Sequence, residues 1–193
     1  MKIKPIESKF MKIMNSFLVA LLFISLNTVA QNYTPVDSGS KVHFVIKNFG
    51  IGTGGDLTGL KGEIAFLPET LAKSNFNVTV STSTIDTDNQ MRDKNLVSDE
   101  YFDATKFPVI KIVSTKIEKT NQTATGYYFF TGSVTIKGIT KAISFPFHAK
   151  KVADGFFFTG NFEIDRTQFG VGEKNIVLSN KVAVSLTVFA KKK

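Results

Sequence analysis

The run Lys181-Val-Ala-Val-Ser-Leu-Thr-Val-Phe-Ala190 sets Val182, Val184, Leu186 and Val188 against Ala183, Ser185 and Thr187. A period of two puts alternate side chains on opposite faces of an extended chain, so the run reads as a half-buried β-strand. The same alternation recurs upstream. Val42, Phe44 and Ile46 alternate with His43, Val45 and Lys47; Leu60, Gly62, Ile64 and Phe66 with Lys61, Glu63 and Ala65; Phe76, Val78 and Val80 with Asn77, Thr79 and Ser81. Further runs at 109–118, 123–137, 139–150 and 155–165 bring the expected total to eight strands. Turn residues fall between them, at Gly50–Asp56, Lys119–Gln122, Lys137-Gly138 and Ala153-Asp154-Gly155. Short connections make neighbours antiparallel, and eight antiparallel strands remove their edges most economically by closing into a barrel. The reading is therefore all-β, an eight-stranded antiparallel barrel. A two-sheet sandwich competes, because periodicity does not say whether the first and last strands meet.

One segment departs from the β pattern, between the third and fourth expected strands. Thr87-Asp-Asn-Gln90 fits a capping box, with the Thr87 hydroxyl accepting from the Gln90 amide, and predicts a short helix from about Asp88 to Val97. Ser98 is placed to cap a further turn through Tyr101 and Phe102, and Phe107-Pro108 then forces extended chain.

Before the first strand, Lys9 and Lys12 precede the almost uncharged run Ile13–Leu26, followed by small residues up to Ala30. That is the layout of a secretory signal, so residues 1–30 are expected to be a cleaved leader and 31–193 a single exported domain, periplasmic or secreted. The apolar run is shorter than the roughly 20 residues a spanning helix needs. After Ala30 the chain carries 20 Lys and Arg against 15 Asp and Glu. Its lysines are scattered along strands, which argues against nucleic acid; the sign of the charge suits transient contact with an anionic membrane surface.

Little catalytic chemistry is available. The chain has no cysteine and two histidines, His43 and His148, which excludes thiolate metal sites, cysteine nucleophiles and multi-histidine clusters. Gly50, Gly52, Gly54 and Gly55 precede a strand, whereas a phosphate-cradling loop precedes a helix, so they are read as a flexible hairpin. Asp86-Thr-Asp88 opens like a calcium loop, but Met91 and Val97 occupy the positions that need glycine and a carboxylate. Neither histidine lies near a nucleophile-elbow motif. The carboxylates of 86–103 read as helix caps, with a secreted hydrolase or isomerase as the remote alternative. Only two arginines follow Ala30. Arg92 and Arg166, with Asp86 and Asp93, are read first as ion pairs tying helix to barrel and second as a clasp for a ligand head group.

Sixteen of the 19 phenylalanines lie after Ala30, many on the expected inward faces, and there is no tryptophan. An eight-stranded barrel is just wide enough to be plugged by its own side chains or to hold one slender ligand. Periodicity leaves plugged and hollow open, since both need the same residue types.

The same segments resemble the YceI-like family of polyisoprenoid-binding proteins. The resemblance rests on Ser40-Lys-Val-His-Phe-Val-Ile46, Ser83-Thr-Ile-Asp-Thr-Asp88, Met91-Arg-Asp-Lys-Asn-Leu96, Glu100-Tyr-Phe-Asp-Ala-Thr-Lys-Phe-Pro108, Gly132–Lys141 and Asp165-Arg-Thr-Gln-Phe-Gly170. It implies a lipocalin-like barrel, export to the periplasm, no cofactor and no established enzymatic turnover, and the residue types already speak against a metal site. It also implies a long apolar pocket for an isoprenoid or similar amphiphile, of quinone or polyprenyl phosphate type, and so favours a hollow barrel. On that reading the tunnel is lined by Phe44, Ile46, Ile64, Phe66, Val78, Val80, Phe102, Ile110, Ile112, Phe130, Val134, Ile136, Phe145, Phe147, Phe158, Phe162, Phe169, Val184 and Leu186. Either the 88–107 segment or the Gly50–Gly55 hairpin serves as a movable cover. The family usually has a histidine near the end of the first strand where this chain has Asn48, which bears on head-group preference. A plugged barrel acting as an interaction module, with no ligand, is the competing function, and both monomer and homodimer are compatible with the sequence.

Overall fold

The structure is a computed structural model that describes residues 31–193 apart from 122–123 and 175. The expected leader, 1–30, lies outside the described residues. Nine strands form one antiparallel sheet: β1 (Asn32–Asn48), β2 (Ile51–Leu57), β3 (Lys61–Ala65), β4 (Asn75–Ser81), β5 (Val109–Lys119), β6 (Tyr127–Ile136), β7 (Ile139–Val152), β8 (Gly155–Asp165) and β9 (Leu178–Lys192). β9 pairs back onto β1, with Val42 opposite Leu186 and Phe44 opposite Val184, so the sheet closes as a barrel and not as a sandwich.

Nine strands occupy eight positions because β2 and β3 share one. Both pair with the same edge of β1, β3 at Asn32–Tyr33 and β2 at Val42–Asn48. The break between them is held by Asp37, whose carboxylate accepts from the Gly59 and Leu60 amides at 3.0 and 2.9 Å. Asp37 is itself set by a bulge in β1, where the register against β9 shifts between Val36 and Lys41. Ser40 spans that bulge, donating to the Val36 carbonyl and accepting from the Phe189 amide at 2.8 Å.

The glycine-rich stretch expected to be a loop is therefore mostly strand. The turn is only Phe49-Gly50, both at positive φ (50° and 77°), with Asn48 opposite Ile51. That is the primed two-residue turn whose twist matches the flanking strands. Gly55 then lies face to face with Phe44, its hydrogen in the place where a methyl would strike that ring. At the β7–β8 turn the loop is Ala153-Asp154, and Gly155 already pairs with Val152.

The helix forms as expected in place but not in capping. α1 (Gln90–Val97) is capped by Asn89, whose side chain accepts from the Arg92 amide at 3.0 Å. The Thr87 hydroxyl donates to Asp93 instead, at 2.6 Å, and Asp93 also accepts the Thr87 amide. Ser98 ends the helix, donating its hydroxyl to Asn95 O at 2.6 Å, and a turn through Tyr101 follows. No residue of α1 is buried, so it rests on the barrel and is not part of its core.

The sheet tolerates no side chain at Gly132, where a Cβ would run into the Val113 carbonyl of β5. Gly132→Ala is expected to lower the unfolding free energy by about 2 kcal/mol through overpacking, read as a lower urea midpoint with an unchanged m-value.

Candidate functional site

The two ends of the barrel differ. At the end where β3 finishes and β4 and β8 begin, Phe66 is 1% exposed and makes edge-to-face contacts with Phe76, Tyr128, Phe147, Phe156 and Phe158, ring centroids 5.2–6.3 Å apart. Such pairs add about 0.5–1.5 kcal/mol each beyond burial. Tyr33 meets Phe156 in the same cluster at 5.2 Å. Burial, reinforced by Glu69, holds the Tyr33 and Tyr128 phenols above their ordinary pKa. This end of the barrel is solid.

Above that floor the interior is hollow. A cavity of about 520 Å³ runs from Phe76, Phe147 and Phe158 up to Asn48 and Leu178 at the opposite rim, within the roughly 300–1,000 Å³ usual for ligand pockets. Phe44, Ile46, Val78, Ile110, Ile112, Phe162, Val184 and Leu186 face inward yet are only half-buried, because their free surface borders empty space. Ile64, Val80, Phe102, Phe130, Val134, Ile136, Phe145, Phe147, Phe158 and Phe169 complete the wall among the residues expected there. Phe130, Phe145 and Phe162 stack in a ladder on that wall, 4.9 and 4.8 Å between successive centroids. Phe66 is the exception. It was expected in the tunnel and belongs to the floor, because five rings close over it.

Sequence reasoning missed several wall residues. Val182 and Val188 extend the alternation already read in β9, and Val42 and Ile164 extend those in β1 and β8, so periodicity contained them. Tyr101, Val171 and Leu178 come from irregular chain or strand ends, where no period exists to find them.

The open end is framed by the 82–108 insertion and by the segment after β8. Leu96, Val97 and Phe102 pack on Val42, Leu57 and Val80 on one side, and Tyr101 and Phe102 on Phe169 and Val171 on the other. Lys137, in the β6–β7 turn, ties the two segments by donating to the carbonyls of Asp99 at 2.6 Å, Glu100 at 3.3 Å and Gly170 at 3.1 Å.

The two arginines act differently from the ion pairs expected of them. Arg166, 4% exposed, donates Nε to Ser179 O, Nη1 to Val171 O and Nη2 to Glu173 O, all at 2.8–2.9 Å. It gathers the backbone at Val171, Glu173 and Ser179 around one guanidinium through carbonyl acceptors. Its neighbour Asp165 accepts from the Thr167 hydroxyl and amide, and that hydroxyl chiefly holds the carboxyl below its usual pKa. Arg92 donates Nε to Thr87 Oγ1 at 2.7 Å and Nη2 to Thr87 O at 2.6 Å. Among the described residues no carboxylate forms an ion pair with either guanidinium. Asp86 pairs through its backbone with Asp56 and caps the Asp88 amide at 2.9 Å.

A second, polar cavity of about 500 Å³ lies beside the first, along the β1–β2 hairpin. His43, Thr53, Thr87 and Arg92 belong to the walls of both. The His43 Nδ1 lies 2.6 Å from Asp56 Oδ1, which fixes the imidazole at this junction. The arrangement is a closed aromatic floor, an apolar shaft and a polar collar containing one half-buried guanidinium.

Residues 33–190 match the model of a family described as the YceI-like domain. A UPF0312 protein of Enterobacter sp. is 30% identical over 139 residues, 70% of this chain and 69% of that protein. A UPF0312 protein of Photorhabdus laumondii is 31% identical over 127 residues, and the matched stretch spans 64% of each chain. Among solved structures, BcnA of Burkholderia cenocepacia superposes with a TM-score of 0.73 at 24% identity, over 79% of this chain and 98% of its own. A structure described as a polyisoprenoid binding domain from Saccharophagus degradans gives 0.67 at 12% identity, over 83% and 98%. At those identities the two structures share the fold alone with this chain.

Replacing Arg166 by Met leaves three backbone carbonyls without their donor, of which Val171 O is buried and Glu173 O and Ser179 O are partly open to water. At about 1–3 kcal/mol for the buried group and less for the two that water reaches, the expected loss is about 2 kcal/mol in urea unfolding. Arg166→Lys should recover less than half, since one ammonium does not span the three acceptors.

Proposed function

This chain belongs to the YceI-like domain family, and on that premise we propose that it is an exported binding protein that holds an amphiphilic lipid, of isoprenoid quinone or polyprenyl phosphate type, for storage or transfer. The observation that carries the reading is the row of inward-facing aliphatic side chains left half-bare around a 520 Å³ shaft. A packed core does not leave such surface open, because voids forfeit contact on every side. The polyisoprenoid-binding description of the Saccharophagus degradans domain supports the choice of ligand class.

The shape also divides the work of recognition. Each buried methylene contributes about 0.8 kcal/mol, so a tail of a few isoprene units fills the shaft with ample binding energy and with little sensitivity to its length. Selectivity falls to the collar, where Arg92 forms no ion pair among the described residues and His43, paired with Asp56, lines the same wall. An anionic or strongly polar head group satisfies that collar. Asn48 stands at the rim, and Asp56, Asp86 and Asp88 share the polar cavity with Arg92 and His43. The protein acts by binding and release and not by turnover, with export resting on the N-terminal pattern.

Organic extracts of the protein purified from its native source are expected to contain one lipid per chain by mass spectrometry. Phe145→Asp, which sets a charge in the shaft, should abolish that retention. Val184→Phe tests the same point without a buried charge and should cut it severalfold in a folded protein. Clean wild-type extracts would sink the reading.

Release requires a wall that moves, and α1, with no buried residue, is the element least committed to the barrel. Hydrogen exchange of residues 90–97 is expected to quicken when lipid is stripped out, while the Phe66 floor stays protected. Identical exchange with and without lipid would argue against α1 as the cover.

A further inference from the structure

The described surface has seven exposed large hydrophobic side chains, and their distribution is uneven: Phe49, Ile51, Met91, Val109, Ile139 and Ile176 all sit at the mouth end, and Tyr127 alone at the floor end. Four are nearly free of the protein, with Phe49 75%, Ile51 73%, Met91 76% and Ile176 103% exposed. They are brought to the mouth by three separate segments. Phe49 and Ile51 form the tip of the β1–β2 hairpin, whose turn is joined to the 176–178 segment by the hydrogen bond from Phe49 N to Val177 O at 2.9 Å. Met91 projects from the first turn of α1 and lines the cavity with Asn48 and Leu178.

Charge accompanies these tips. The segments 47–53, 90–97 and 173–181 carry Lys47, Arg92, Lys94, Lys174 and Lys181 against only Asp93 and Glu173. Asp93 is held by Thr87, and Lys181 by Glu163 at 2.9 Å. No ion pair engages Lys47, Lys94 or Lys174 among the described residues. Exposed apolar tips with lysines beside them match the chemistry of an anionic bilayer, where the apolar groups sink below the head groups and the ammonium groups stay among the phosphates. Scattered single hydrophobics need no explanation, but six of the seven stand at the mouth end of one apolar shaft, and Met91 among them lines it.

We propose that the mouth end is a docking surface for an anionic lipid bilayer, inserting Phe49, Ile51, Met91 and Ile176 so that the shaft opens directly onto the acyl region. This rests on the lipid-binding reading, and it adds where the cargo is exchanged. A lipid then passes between bilayer and barrel without its tail crossing water.

The chain contains no tryptophan, so a single introduced indole reports its own surroundings. With vesicles of phosphatidylglycerol and phosphatidylcholine, the emission of Phe49→Trp is expected to shift to the blue and to be quenched by brominated acyl chains, while that of Tyr127→Trp stays unchanged. The triple variant Phe49→Asn, Ile51→Thr, Ile176→Thr, none of whose positions lines the shaft, should lose at least tenfold in co-flotation with these vesicles and keep wild-type lipid content on extraction. An unshifted Phe49→Trp, an equal shift in Tyr127→Trp, or equal flotation with pure phosphatidylcholine overturns the proposal. So does concentration-dependent dimerisation that the triple variant abolishes, which would assign the tips to a second copy of the chain. A lipid-loaded protein that ignores vesicles tells against docking alone, and a protein that docks but yields clean extracts tells against the shaft's occupancy alone.

Discussion

Closure of β1 onto β9 is the pairing on which the molecule depends. An open antiparallel sheet of this length would leave two hydrogen-bonding edges exposed to other chains; closure satisfies both at once. It also fixes the circumference at eight strand positions, and at that size the interior is wide enough for large side chains to meet across it or for one slender guest. Which of the two happens is then decided level by level by the side chains that point inward.

The barrel uses both solutions. Near the floor, Tyr33, Phe66, Phe76, Tyr128, Phe147, Phe156 and Phe158 meet across the axis and interlock. Toward the mouth the inward residues become Val182, Val184, Ile46, Ile110 and Ile164, whose shorter side chains leave the axis open. Plugged and hollow are thus the two ends of one gradient in side-chain reach. The rings close the shaft at the floor end.

Polar groups are spent on shaping the mouth. Arg166 and Lys137 each donate to three or more backbone carbonyls around the mouth, those of Arg166 spanning the chain before β9 and the first residues of β9. A guanidinium satisfied by carbonyls is a brace, whereas the Arg92 guanidinium donates to Thr87 and lines the polar cavity as well as the shaft. The difference between the two arginines lies in their acceptors, which no sequence pattern encodes.

Alternation by itself located the strands other than β2 and the inward faces of β4 to β9, because side-chain direction in an extended chain follows from counting by two, and the break in it marked the helical interruption. It misjudged Gly50–Asp56, where glycine composition suggested a loop, since the need for bare backbone opposite Phe44 and His43 is visible only when β1 and β2 are paired. It misplaced Phe66, whose face was right and whose level along the axis was not. Level depends on strand stagger, and stagger depends on the β1 bulge and the shared β2–β3 position. Only the closed tertiary structure decided that the same phenylalanines and valines surround a floor at one end and open space at the other, because void volume is a property of opposing walls and neither wall knows the other until the barrel shuts.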